Sequence, residues 1–312
     1  MALRPYRILS LDGGGIRGLL SIVLMERLEN DTPGFLGKVD LFAGTSTGGI
    51  LALALAGGTP LSLLRQFYEG AGQAIFGDSL ADNVKDLGSA TGAQYSNHGL
   101  RRAIRQLFGD KKLMDLKGRV LIPAFDLDNN SQDPRSRSWA PKFFHNFPGE
   151  DSDGEEFCAH VALATSAAPT YFPSWEGFID GGVVAANPSM AALAQTQDAR
   201  SFPKRPALSR LRLLSLGTGV SLKSIEGREH DWGKLQWVSP LIEIMFSGVS
   251  GVADFQCRQI LGDHYHRLNP VFRPGDEIPL DAVGRTADII KAAEATDLKA
   301  THEWLDREWG LS

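Results

Sequence analysis

The chain has 312 residues, 43% hydrophobic and 22% charged, a balance that excludes a disordered or fibrous chain and predicts a folded protein with a sizeable core. Its net charge of -5 gives no global attraction to nucleic acid or anionic lipid, so no nucleic-acid polymer is expected as a partner and membrane contact must rest on local patches. Cys158 and Cys257 lie in no metal-ligand spacing, no secretion signal is visible, and the apolar run 241–252 is interrupted by Glu243, which together predict a reduced, cytoplasmic chain without a cysteine metal site or a spanning helix.

Residues 7–11 (RILSL) form a short apolar run ending in glycines, followed by LLSIVLMERLE with helical spacing, and so predict a strand, a tight turn and a helix. The pattern repeats at once: 39–43 (VDLFA) leads through glycines into GGILALALA, which is apolar all round and therefore expected to be buried. Thr59-Pro60 predicts the start of a helix through Phe67 and Tyr68, and Asn97 is expected to cap LRRAIRQLFG. Further strands are expected at 119–125, 142–146, 177–179 and 212–216, with helices at 159–166, 189–197, 240–246 and 286–304. Strands alternating with helices predict a mainly parallel sheet covered on both faces. With no repeat or linker, residues 1–312 are expected to form one domain, with surface loops at 129–138 and 201–210.

Gly44-Thr45-Ser46-Thr47-Gly48 fits G-x-S-x-G between an apolar strand and an apolar helix, the setting of a nucleophile elbow. Gly44 and Gly48 permit the sharp turn, and the helix N-terminus favours negative charge developing on the serine oxygen. A serine needs a base, for which Asp180, in Phe178-Ile179-Asp180-Gly181-Gly182, is the best candidate; local pattern alone favours reading the two sites as a helix cap and an Asp-Gly turn. Gly13, Gly14 and Gly15, after the first strand, can offer backbone N–H groups to an oxyanion. Gly13, Gly15 and Gly18 also fit G-x-G-x-x-G, but Asp40 begins the second strand where a dinucleotide site needs an acid ending it, and Asp12 would repel a pyrophosphate.

DGGGIRG at 12–18, GTSTGG at 44–49 and DGG at 180–182, with IFG at 75–77, TSAAPTYFP at 165–173 and LLSLGTG at 213–219, resemble the signatures of the patatin-like phospholipases. The likeness runs from about residue 7 to Gly219 and fades in the C-terminal third. It implies a three-layer α/β/α sandwich with a mainly parallel central sheet, and a Ser46–Asp180 dyad without histidine. It further implies an oxyanion hole from Gly13, Gly14 and Gly15 with Arg17 supporting the loop. The implied reaction is hydrolysis of fatty-acyl esters in phospholipids or related lipids through an acyl-serine intermediate, without a cofactor, by a protein peripheral at membranes during action. Some bacterial relatives in the family are switched on by cyclic nucleotides and some secreted toxins need a host protein, so an activator and an oligomeric form remain open at this point.

Rival readings are a Ser-Asp-His esterase using His264 or His266, against which the elbow stands too early in the chain, and a scaffold with a degenerate site. The calcium-loop imitation at 126–130 places Arg137 where a glutamate belongs. Arg101, Arg102, Arg105, Lys111 and Lys112 cluster around one helix and read as a solvated face, with contact to phospholipid headgroups or an anionic activator as the alternative. The apolar stretch 237–252 is expected to pack in the core, with an acyl channel or membrane contact as the alternative.

Overall fold

The computed structural model describes residues 4–76, 93–202, 204–227, 229–273 and 275–310. The first half is built on β1 (Tyr6–Leu11), α1 (Gly18–Asp31), β2 (Leu41–Gly44), α2 (Thr47–Ala56), α3 (Leu61–Phe76), α4 (His98–Phe108), β3 (Arg119–Asp126) and β4 (Ala140–His145). It continues with α5 (Cys158–Thr165), β5 (Phe178–Asp180), α6 (Gly182–Ala185), α7 (Ser189–Thr196), β6 (Leu211–Leu216) and β7 (Val220–Ser221). The C-terminal part adds α8 (Lys234–Leu261), β8 (Tyr265–Leu268), β9 (Val271–Phe272), α9 (Thr286–Glu294) and α10 (Lys299–Trp304).

The main sheet runs β4-β3-β2-β1-β6-β8. The five strands from β3 to β8 are parallel, and β4 adds an antiparallel edge. Short β5 also pairs with β3, antiparallel, at Ala124–Asp126. Because β4 already occupies that stretch of β3 on one side, β5 must lie on the side that β2 uses at Arg119–Leu121. The C-terminal ends of β2 and β5 therefore point at each other along one edge of β3.

Successive strand residues face opposite layers, as the pleat requires. Leu9, Leu11, Val120, Ile122, Leu214 and Leu216 pack against one layer of helices, which includes α1, α2 and α5, while Ile8, Leu121, Leu211 and Leu213 pack against α7 and the end of α8. The result is the three-layer α/β/α arrangement. α2 is buried on nearly every side, as its uniform apolarity predicts.

Three expectations change. The helix expected at 240–246 is one part of the 28-residue α8, with Pro240 inside it. The helix expected at 286–304 is two, because the Asp297 carboxylate accepts the Lys299 N–H (2.9 Å) and starts the chain afresh after α9. Asn97 precedes α4 but makes no side-chain cap bond. Gly77 of the IFG motif lies outside the described residues. Arg137 holds Asp128 (2.8 and 2.9 Å), which neutralises the calcium-loop imitation. Among the described residues no helix is long and apolar enough to cross a membrane.

Candidate active site

β2 ends at Gly44 and α2 begins at Thr47, so two residues make the whole reversal. Ser46 absorbs it with φ 56° and ψ -124°, a region that side chains avoid at a cost of roughly 1–3 kcal/mol. Three contacts hold it there. The Ser46 N–H donates to Thr165 Oγ1 (2.9 Å), whose hydroxyl donates to the Pro123 carbonyl (2.5 Å), and Thr45 Oγ1 donates to the Ala185 carbonyl (2.6 Å). The flanking glycines are steric necessities, since a Cβ at Gly44 would stand 2.0 Å from the Gly48 carbonyl oxygen and one at Gly48 2.2 Å from that of Leu11. Ser46 thus sits on the first turn of a buried helix, half-exposed at the C-terminal end of the parallel sheet.

Asp180 ends β5, opposite Ala124, and is 1% exposed. Its Oδ1 accepts the Gly182 N–H (2.7 Å). Burial pushes its carboxyl up from 3.8 to about 6, and the nearby Ser46 hydroxyl and the Gly182 N–H hold it from rising further. Head-to-head approach of β2 and β5 along β3 brings these two residues together across 134 positions of sequence.

Among the described residues no histidine bonds either of them. His264 Nδ1 stands 3.0 Å from Glu308, while His266 Nε2 lies 2.9 Å from Thr301 Oγ1 with its ring stacked on Trp304. His264 directly precedes β8 and His266 lies in it, with β6 and β1 between β8 and β2. Burial pushes His266 down to about 4.

The glycine-rich loop stands against Ser46: a Cβ at Gly13 would lie 3.4 Å from the serine Cβ. Gly13 is occupied structurally, its N–H donating to the Ala186 carbonyl (3.0 Å) and its carbonyl accepting from Thr218 Oγ1 (2.9 Å). The N–H groups of Gly14 and Gly15 have no acceptor among the described residues. Gly15 needs to be glycine twice over, for its φ of 56° and for the Leu280 carbonyl oxygen 2.2 Å from where its Cβ would be. The Leu280 carbonyl in turn accepts the Ile16 N–H (2.8 Å). Arg17 donates to the Ile278 carbonyl (3.4 Å), which ties the loop to the same C-terminal segment. Burial lowers the Arg17 guanidinium to about 10, against the pull of nearby Glu243.

Asp12, at the end of β1, is buried in a two-pronged ion pair with Arg267 of β8 (2.6 and 3.2 Å), and Arg267 also reaches Ser215 Oγ (2.7 Å). Burial works against the Arg267 charge, but the Asp12 carboxylate more than offsets it and holds the guanidinium protonated.

Ser46, Asp180, Gly13, Gly14, Gly15, Gly44 and Gly48 are therefore gathered at one place, with Arg17 bracing the loop from behind. Sequence reasoning missed Thr165, Ala186, Arg267 and Leu280. Thr165 opens the TSAAPTYFP stretch, which gave a signal without a role; the other three act through backbone carbonyls or a lone strand residue and carried none. A groove of about 560 Å³ lined by Glu26, Glu29, Phe42 and Pro60, among others, lies at the opposite end of β2 and contains no nucleophile–base pair.

The profile of the patatin-like phospholipase family matches residues 9–193. A cGAMP-activated phospholipase of Pseudomonas aeruginosa is 32% identical over 90% of this chain and 83% of its own length. Patatin-like protein 2 of Arabidopsis thaliana is 31% identical over 88% of this chain and 77% of its own, and Protein teg of Priestia megaterium is 30% identical over 97% and 99%. With a profile match over more than half its length and relatives at 30% identity or above along nearly all of it, the chain belongs to the patatin-like phospholipase family, whose members are lipid-hydrolysing proteins.

Proposed function

We propose that this protein hydrolyses fatty-acyl esters of phospholipids or related lipids, with Ser46 as nucleophile and Asp180 as general base. The Ser46 oxygen attacks the acyl carbonyl while its proton passes to the Asp180 carboxylate, and the tetrahedral oxyanion is taken by the free N–H groups of Gly14 and Gly15. Gly13 shapes the loop, and Arg17 braces it. Asp180 returns the proton to the leaving alkoxide, leaving an acyl-serine; a water molecule then gives a proton to Asp180, attacks the acyl carbonyl, and releases the fatty acid with Ser46 reprotonated.

The observation that carries this reading is the meeting of Ser46 with the buried Asp180 carboxylate at the facing ends of β2 and β5, where burial raises the carboxyl to about 6 and makes it a far better base near neutrality than an exposed aspartate. The strained serine and the helix N-terminus beneath it support the same assignment. Incubating wild type, Ser46→Ala and Asp180→Asn with defined phospholipids and resolving the products by mass spectrometry tests it. Free fatty acid is expected from wild type, with both variants lower by at least about a thousandfold; full turnover in either variant would overturn the dyad.

The likeness to a cGAMP-activated phospholipase over 90% of the chain favours a second, compatible reading in which a cyclic nucleotide gates the same site. Adding cyclic dinucleotides to the lipid assay tests it, and unchanged turnover with no binding removes it.

A further inference from the structure

α8 carries two apolar faces. Its inner face follows the usual rule, with Ala253, Cys257 and Leu261 buried against the sheet layer. Its outer face does not: Leu241, Ile244, Met245, Val252 and Phe255 fall on one side of the helix, at spacings of two turns or fewer, and are all exposed, Phe255 at 63%. This corrects the expectation that 237–252 packs in the core. Leu222, 72% exposed, stands in the segment that Lys223 ties to α8 through its ion pair with Glu243 (2.5 Å). Contiguous apolar exposure on this scale marks a contact surface.

Two features say what the contact is with. The stripe is continuous with the candidate site. Phe246, on the inward side of the same turn, would touch a Cβ at Gly182 at 3.0 Å, the same distance at which that Cβ would meet Asp180 Oδ1, and Glu243 acts electrostatically on Arg17 of the glycine loop. The stripe is also electrically neutral. Glu243 is the one charged residue between 237 and 253, it is paired with Lys223, and the next carboxylate, Asp254, is paired with Arg258 (3.1 Å). A neutral apolar face on a protein of net charge -5 suits an uncharged lipid surface rather than an anionic one. Trp232 and Trp237, with ring centroids 5.1 Å apart, lie at the N-terminal end of the helix, and tryptophan prefers the depth of lipid headgroups.

We propose that the outward stripe of α8, with Leu222 beside it, is the face on which the protein docks onto a zwitterionic lipid surface, delivering lipid past Phe246 to Ser46 and Asp180. The inference rests on the acyl-hydrolase reading for its purpose, but docking is measured without turnover. The Ser46→Ala chain is floated with phosphatidylcholine vesicles, with and without anionic phosphatidylglycerol, at low salt and at about 0.5 M salt. Binding is expected with both vesicles and at both salt levels. Adding Leu241→Ser and Met245→Ser, exposed positions where polar residues leave the melting temperature within a few degrees, is expected to weaken binding at least about tenfold. On the Ser46 background the same pair lowers the ratio of vesicle-phospholipid to soluble-ester turnover by a similar factor.

Unaltered flotation of the double variant overturns the proposal. So does binding that requires anionic lipid and vanishes in salt, which would move docking to a basic surface. Conversion of a dimer to a monomer with vesicle binding intact would assign the stripe to a second copy of the chain instead. A wild type that cleaves no ester would sink the acyl-hydrolase reading while leaving the flotation result to stand.

Discussion

Ser46 and Asp180 are both held in states that cost the protein stability, and both costs are measurable. At φ 56° and ψ -124° Ser46 occupies a region open to glycine and closed to alanine, so Ser46→Gly is expected to be about 1 kcal/mol more stable than Ser46→Ala in denaturant titration, with both inactive. Equal midpoints would mean that the elbow relaxes in solution.

Asp180 has a folded pKa raised from 3.8 to about 6 by burial, so the folded state binds its proton more tightly than the unfolded one. The stability this contributes is full below about pH 4 and is lost as pH rises through about 6. That rise corresponds to roughly 3 kcal/mol. Asp180→Asn should therefore be more stable than wild type by up to about this amount at pH 8, with the difference closing towards pH 4, while activity is abolished. The kcat/KM of wild type should rise with pH through about 6, as the carboxylate ionises; an acidic limb centred near 4 would show that the buried environment is not what tunes the base.

At the scale of elements, the site exists because β2 and β5 meet end to end along β3. One side chain from a third element sets that meeting. The Thr165 hydroxyl, at the end of α5, accepts the Ser46 N–H and donates to the Pro123 carbonyl of β3, so it ties the elbow to the strand that carries β5. Thr165→Val keeps the shape and removes both bonds, leaving a buried N–H unpaired at a cost of about 1–3 kcal/mol. The expected outcome is a fall in kcat of at least about tenfold with KM little changed, and Thr165→Ser should restore most of it. Loss in the serine variant equal to that in valine would assign the effect to packing by the methyl group.

The strands and helices around this junction were legible in the sequence because each has a strong period of its own. The role of Thr165 was not, because a hydroxyl at a helix end reads locally as an ordinary polar residue.

At the scale of the whole molecule, the C-terminal third completes what the motifs begin. β6 pairs with β1 along six residues, and β8 extends the sheet from β6, although both lie beyond residue 193, where the family profile match ends. Arg267 of β8 neutralises buried Asp12 directly before the glycine loop. Arg267→Met strips a buried carboxylate of its partner and is expected to destabilise the fold by about 3–5 kcal/mol, read as a lowered denaturation midpoint. Restoration by Asp12→Asn in the same chain would confirm that the orphaned charge is the cause, and its failure would locate the damage elsewhere. A fragment ending at Gly219 should show no cooperative unfolding, having lost β8, the α8 cover and the Leu280 and Ile278 carbonyls that fasten Ile16 and Arg17.

The sequence by itself determined the alternation of strands and helices, the burial of α2, and the elbow at Ser46, because these depend on periodicity and on glycines that act within a few residues. It could offer Asp180 and the glycine loop only as candidates, whose joint role came through resemblance, since nothing local distinguishes a base from a turn. The tertiary structure decided the rest: that β5 runs up the same side of β3 as β2, that Gly13 is already bonded while the Gly14 and Gly15 N–H groups have no acceptor among the described residues, and that α8 turns an apolar stripe outward. Each depends on which elements become neighbours, and that is set by packing between segments more than a hundred residues apart, where no sequence period reaches.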